Sequence, residues 1–215
     1  MSVVSRRELA VELDYGGRDA GLPVERSDAT RNRLKIVDAA RVLFEEHDVT
    51  SVTMEDVARA AGVGKGTLYR RFPNKGLLCQ ALLDEPTRRV QEEAMRLVSG
   101  DGDPLWKLGE FLALLVEFVE ENLDLLYGGN EPLCGADRLA RFAHPAYDWR
   151  RWTILGLLRI AERAGELEVD LDLEYIAAAI LAPLDVDFYY YQRRVRGYSK
   201  ERISSGIRSL VPRKT

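Results

Sequence analysis

The chain has 215 residues, 46% of them apolar and 31% charged, a balance that excludes a collagenous, wholly disordered or disulfide-scaffold protein. Its net charge of −4 excludes indiscriminate attraction to nucleic acid over the whole surface, though not a local basic patch. The longest apolar runs, Phe111 to Val116 and Ile176 to Leu184, fall far short of the roughly 20 residues of a membrane-spanning helix.

The start, "MSVVSRRELAVELDYGG", interrupts its apolar residues with Arg6, Arg7, Glu8 and Glu12 and so lacks the apolar stretch of a secretory leader. Cys79 and Cys134 form no CxxC pair, and with His47 and His144 equally scattered no metal site or cofactor is expected. A reducing cytoplasm and no membrane partner are the expectation.

Residues 1–27 carry glycines, a proline and no sustained stripe, so they read as a flexible arm, with the first ordered element starting near Asp28 or Thr30. A minor-groove arm is the alternative, but acidic side chains offset its arginines. Ile36, Ala39, Ala40, Leu43 and Phe44 then form the apolar stripe of a first helix, from Arg31 to His47. Thr53-Met54-Glu55-Asp56 has the form of a capping box opening a short second helix, which Gly62 stops. Lys65 to Phe72 make a third, closed by Pro73, and two short helices so tightly joined have a helix-turn-helix pattern.

Asn74 caps a long fourth helix, reaching Val98, which Pro86 should kink or divide. Asp103 and Pro104 open a helix to about Asn122 that is apolar on nearly every face and belongs in the middle of a bundle. After a looser stretch from Gly128 to Pro145 come a helix from Ala146 to Ala164, one capped by Asp172 and running past Tyr191, and one capped by Ser199 and reaching Val211. No segment alternates with period two, so the fold class is all-α. Its organisation is an arm (1–27), a helix-turn-helix domain (28–76) and a helical bundle (77–215).

The stretch "GVGKGTLYRRFPNK" invites two readings, a phosphate loop or a helix laid across DNA. A Walker-type loop needs Ser or Thr after its lysine and glycine five positions before its second glycine, but Gly66 follows Lys65, Arg59 takes the glycine's place and a helix precedes the loop. A dinucleotide fingerprint fails at Thr67. As a groove-entering helix, Lys65, Thr67, Tyr69, Arg70 and Arg71 offer hydrogen-bond donors while Leu68 and Phe72 anchor it; the plainer alternative is a solvated face with Tyr69 partly in the core. Residues 26–76 hold ten basic and seven acidic side chains, so the basic surplus is local.

Residues 31–78 resemble the DNA-binding domain of the tetracycline repressor (TetR) family: Ala40 with Leu43-Phe44, Thr53-Met54 with Val57-Ala58, "AGVGKGTLYRRF" at 61–72, and Lys75 with Leu78, in that order. The resemblance implies a helical, homodimeric repressor bound to a double-stranded operator and released by a small molecule held in the C-terminal domain. It implies phosphate contacts from Thr53 and Lys75, and a recognition helix presenting Lys65, Gly66, Thr67, Tyr69, Arg70 and Arg71. It also implies an interface of the last two long helices, about 172–195 and 199–211. The chain departs from the family at Gly64 (commonly serine), at His47-Asp48 (commonly a glycine) and at Gly76 (commonly a helix-favouring residue).

The remaining two thirds carry no such motif. Trp106, Phe111, Phe118, Trp149, Trp152, Tyr189 and Tyr190 are candidates for an apolar effector pocket, and Glu117, Asp185 and Asp187 for meeting a cationic ligand, against the alternative of plain core and of carboxylates paired with Arg193 and Arg194. Pro86 is the candidate flexing point between the domains. A ligand-responsive repressor leads; an activator or non-sensing DNA-binding protein is the alternative, and a helical nucleotide-binding enzyme the outsider, since no nucleophile–base–acid grouping is visible.

Overall fold

The computed structural model describes residues 23–129, 142, 145–168 and 170–214; residues 1–22 of the expected arm, Cys134 and His144 lie outside them. Among the described residues there are helices and no strand. Helix α1, Pro23–Glu46, starts before the expected Asp28 or Thr30. Proline suits a first helical position, because its φ is already set and its missing N–H is one no helical bond would use. Ile36 and Ala40 on its inner face are fully buried.

The turn after α1 is built on Asp48, whose Oδ1 accepts both the Thr50 N–H and the Thr50 hydroxyl at 2.7 Å. Those two bonds hold the Asp48 carboxyl below its ordinary range. A side chain thus organises the turn where the resemblance led to the expectation of a glycine.

In α2, Met54–Ala60, the capping box forms: Thr53 Oγ1 accepts the Asp56 N–H at 3.2 Å, and the Thr53 N–H donates to Asp56 Oδ2 at 3.1 Å. Gly62, at φ 64°, ends the helix as its left-handed cap, and the Val63 N–H reaches back to the Ala58 carbonyl at 3.0 Å. Helix α3, Lys65–Arg71, follows with Gly64 as a cap lacking a side-chain bond. Helix α4 is Lys75–Ser99, with Asn74 Oδ1 accepting the Leu77 N–H at 2.9 Å. It runs unbroken through Pro86, so the proline does not divide it.

Helix α4 belongs to two cores. Its Leu78 and Leu82 complete the first, with Ile36, Val57, Leu68 and Phe72, while its Ala94 enters the second. That second core is centred on α5, Pro104–Glu121, which packs against α4, α7 and α10 and buries residues on nearly every side, as a central bundle helix must. Lys107 of α5 is buried and donates from Nζ to the carbonyls of Val98 (3.3 Å) and Gly100, closing the end of α4.

Asn122 separates α5 from a short α6, Leu123–Gly128, which the apolar stripe did not distinguish. Helix α7, Pro145–Arg163, ends at Gly165 (φ 75°). The expected single helix from 172 past 191 is instead three pieces: α8, Leu173–Leu181; a 3₁₀ turn, Ala182–Leu184; and α9, Val186–Tyr190, continued by a π-turn over Tyr191–Val195. Pro183 removes a helical donor, and Asp185 Oδ1 accepts the N–H groups of Asp187 (3.2 Å) and Phe188 (3.5 Å), so a new helix starts there. Helix α10, Lys200–Ser209, is capped by Ser199 as expected.

Candidate functional site

The recognition helix has two chemically opposite sides. Leu68 and Phe72, one helical turn apart, are 0% and 3% exposed and fix α3 to α1, α2 and α4. Lys65, Gly66, Tyr69, Arg70 and Arg71 are exposed, and Thr67 is half-buried. Tyr69, at 44% exposure, is therefore not a core residue. A Cβ built at Gly66 would meet no atom of the described residues within 4 Å, so nothing among them requires a glycine there.

Two of the expected phosphate contacts are already engaged. Lys75 Nζ donates to the carbonyls of Val49 (3.0 Å) and Thr50 (3.2 Å), tying the α1–α2 loop to the start of α4; an ammonium has one donor left. The Thr53 hydroxyl donates to Asp56 Oδ2 at 2.5 Å while accepting the Asp56 N–H. Hydrogen bonds from Thr53, then the Arg59 guanidinium, hold the Asp56 carboxyl below its usual range. Lys65 is itself bonded to Glu55 across the gap between α2 and α3. That partner was missed in the sequence because a ten-residue separation between two short helices has no periodic signature.

The effector candidates do not converge on one pocket. Phe111 and Phe118 are buried on α5, and Phe111 meets Trp149 of α7 edge to face at 5.7 Å. Trp152 is exposed under the Arg151 guanidinium at 4.3 Å. Trp106 is also exposed and lines a cavity of about 70 Å³ between α5 and α10, with Glu110, Arg208 and Arg213. Tyr190 stacks on Tyr127 of α6, ring centroids 3.6 Å apart.

Tyr189 is fully buried and donates its hydroxyl to Glu120 Oε2 at 2.8 Å. Glu120 also takes both Arg193 Nε (2.7 Å) and Nη2 (2.6 Å), a forked pair joining α5 to the π-turn. The Arg193 bonds, and then that of Tyr189, hold the Glu120 carboxyl below its ordinary value against the opposing effect of burial. Burial and the bond to Glu120 push the Tyr189 phenol well above its own. Tyr189 is thus part of an internal network rather than a pocket wall. Glu117 is paired with Lys200 (2.7 Å), and the partner of Arg194 is Asp124 (3.2 Å), so arginines 193 and 194 take different carboxylates from those expected.

At the junction of the two cores the backbones touch. A Cβ on Gly76 would lie 2.8 Å from the Gly129 carbonyl oxygen, one on Gly128 would lie 2.6 Å from Val49 Cγ1, and one on Gly129 would lie 2.7 Å from Cys79 Cβ. The departure at Gly76 has its reason here: the end of α6 sits directly on the first turn of α4. Leu125 of α6 also packs against the first core.

Comparison with known proteins agrees with this geometry. Residues 36–82 match the family model described as bacterial regulatory proteins, tetR family. An HTH-type transcriptional regulator of Staphylococcus aureus is 45% identical over 62 residues, 28% of this chain and 32% of that protein. An uncharacterized HTH-type transcriptional regulator of Mycobacterium tuberculosis is 33% identical over 88 residues, 41% of this chain and 44% of that one. The chain therefore spans less than half of the length of these curated relatives. Among solved structures, FadR of Thermus thermophilus, a TetR-family transcriptional repressor in complex with lauroyl-CoA, superposes with a TM-score of 0.61 at 23% identity, covering 85% of this chain and 97% of that one. At that identity the agreement is one of fold. Residues 36–82 are thus similar to the helix-turn-helix domain of the tetR family of bacterial regulatory proteins, and 85% of the chain shares the fold of a solved regulator described as a member of that family.

Proposed function

We propose that the protein is a cytoplasmic, homodimeric repressor that binds a double-stranded operator through α3 and is released by a small molecule held in its C-terminal bundle. The observation that carries the reading is the division of α3: apolar anchors buried, and Lys65, Tyr69, Arg70 and Arg71 outward beside a glycine that nothing among the described residues requires. Such a surface suits a major groove, where basic and hydroxyl side chains meet phosphates and base edges and a missing side chain admits close approach. Binding of lauroyl-CoA by the Thermus repressor of the same fold supports a small-molecule effector.

The dimer face is proposed on α7 and α8 rather than on 172–195 with 199–211. Helix α10 lies on α5 and turns Glu201, Arg202, Ser205 and Arg208 outward, a polar surface. By contrast α7 and α8, packed side by side, expose Trp152, Ile160 and Tyr175, with Phe188 and Tyr191 exposed beyond them. Exposed apolar area of this kind marks an interface, and pairing sets two recognition helices one DNA turn apart, roughly 34–36 Å.

The test is DNA binding by the purified chain to a fragment selected from a random pool. Lys65→Ala with Tyr69→Phe should abolish binding while gel filtration still reports a dimer. Retained binding, or loss of the dimer, would count against the assignment.

A further inference from the structure

Arg150 lies on the core side of its helix. Along α7 the fully buried residues include Ile154, Leu158 and Ala161, and Arg150 stands one turn before Ile154 on the same stripe, where an apolar residue is called for. It is half-buried, and its guanidinium carbon is 5.5 Å from the centroid of the Phe118 ring, itself buried on α5. No carboxylate among the described residues pairs with it. Its neighbours differ: Arg151 meets Asp148 at 4.0 Å, Arg159 meets Glu174 at 3.2 Å, and Arg193 has Glu120. Burial lowers the basicity of Arg150 with no opposing charge, though a guanidinium stays protonated at neutral pH.

A partly buried cation with no counter-ion among the described residues costs the fold free energy, and an arriving anion relieves that cost. The guanidinium also offers a planar fork of donors matched to an oxyanion. Beside it the α5–α7 seam is lined by Phe118 and, two turns back along α5, by Phe111 with its partner Trp149. Phe111 and Trp149 are in contact, and Phe118 belongs to the same core.

We propose that Arg150 is the anion-binding residue of the effector site, so that the sensed molecule carries a carboxylate or phosphate group on an apolar body that lies against Phe118, Phe111 and Trp149. This inference rests on the effector-sensing reading above.

The full-length chain and Arg150→Met are compared by thermal unfolding and calorimetry with sodium octanoate, phenyl phosphate and the neutral octanamide. Without ligand, Arg150→Met should melt at the wild-type temperature or above it, since an unpaired cation has been replaced by an apolar side chain of similar length. At least one of the two anions should raise the melting temperature of the wild type, and bind Arg150→Met at least about tenfold more weakly, while octanamide should stabilise neither protein. Which anion acts distinguishes carboxylate from phosphate. A clearly lower melting temperature for unliganded Arg150→Met, equal anion responses in both proteins, or no response of the wild type to either anion would overturn the proposal. Release of the selected operator is measured separately. Anion binding at Arg150 without release would leave the site and remove its effector role; release by octanamide from both proteins would keep the sensor and remove Arg150.

Discussion

Gly66 gives the sharpest separation of fold from function. It is the second residue of α3, its Cβ position is open for 4 Å, and its φ is not in the left-handed region. Gly66→Ala therefore meets no atom and removes glycine's excess chain entropy, a gain of roughly 0.5–1 kcal/mol. For a chain of this size that raises the melting temperature by roughly 1–4 °C. Gly66→Leu, still a good helix former, should stabilise about as well while projecting a branched side chain from the exposed face. Melting by circular dichroism and fluorescence anisotropy on the selected operator read the two effects independently. We expect Gly66→Leu to melt higher than wild type and to bind at least about tenfold more weakly, a loss of roughly 1.4 kcal/mol. A variant that melts higher and binds as the wild type does would refute the assignment of this face to DNA. One that melts lower would show that the fold itself demands the glycine. Gly62→Ala is the control: it too has open space, but at φ 64° it should lose roughly 1–2 kcal/mol.

Three further outcomes follow from the interior. Gly129→Ala puts a Cβ 2.7 Å from Cys79 Cβ and 2.8 Å from the Leu125 carbonyl oxygen, so urea unfolding should show a loss of about 1–3 kcal/mol; a change under 0.5 kcal/mol would mean that α6 does not press on α4 as described. Glu120→Gln leaves Arg193 and Tyr189 without their carboxylate and should cost about 1.5–3 kcal/mol at neutral pH. Because the folded-state value of Glu120 lies below its ordinary 4.5, this stabilisation is fully present above pH 4.5 and is lost as pH falls through the folded value. The gap between wild type and variant in unfolding free energy should therefore be flat from neutrality to about pH 5 and shrink in more acid buffer; a gap unchanged by acid would contradict it. Pro86→Ala restores a donor within an otherwise continuous α4 and should raise the melting temperature while altering effector-driven release; unchanged operator affinity and unchanged response would remove Pro86 as a flexing point.

The all-α class, both caps of the helix-turn-helix region and the buried pair Leu68 and Phe72 were legible in the sequence because each depends on near neighbours. A capping box spans four residues, a glycine stop two, and an apolar stripe repeats within a turn. The recognition helix was legible for the same reason. The break at Pro183 and Asp185 was written in local signals too, but the apolar stripe continues across it from Ile180 to Leu184 and Phe188 and hid them.

Other features depended on which distant surfaces meet. The effector candidates scattered because aromatic residues carry no label for the helix they will face: Tyr189 turned to Glu120, 69 residues away, and Trp106 and Trp152 turned outward. Arg150 has charged neighbours in the sequence, Asp148 and Arg151, and only the packing of α7 on α5 placed it on the buried stripe. Gly76 looked like a defect in a helix until the end of α6 came to rest on it. Sequence by itself determined the all-α class, the helix-turn-helix and the character of the surface that α3 presents, since short-range hydrogen bonding and periodic burial decide them. Tertiary structure alone decided which charges are paired, which aromatics adjoin one another and where the two cores touch, because these are set by contacts between segments far apart in the chain.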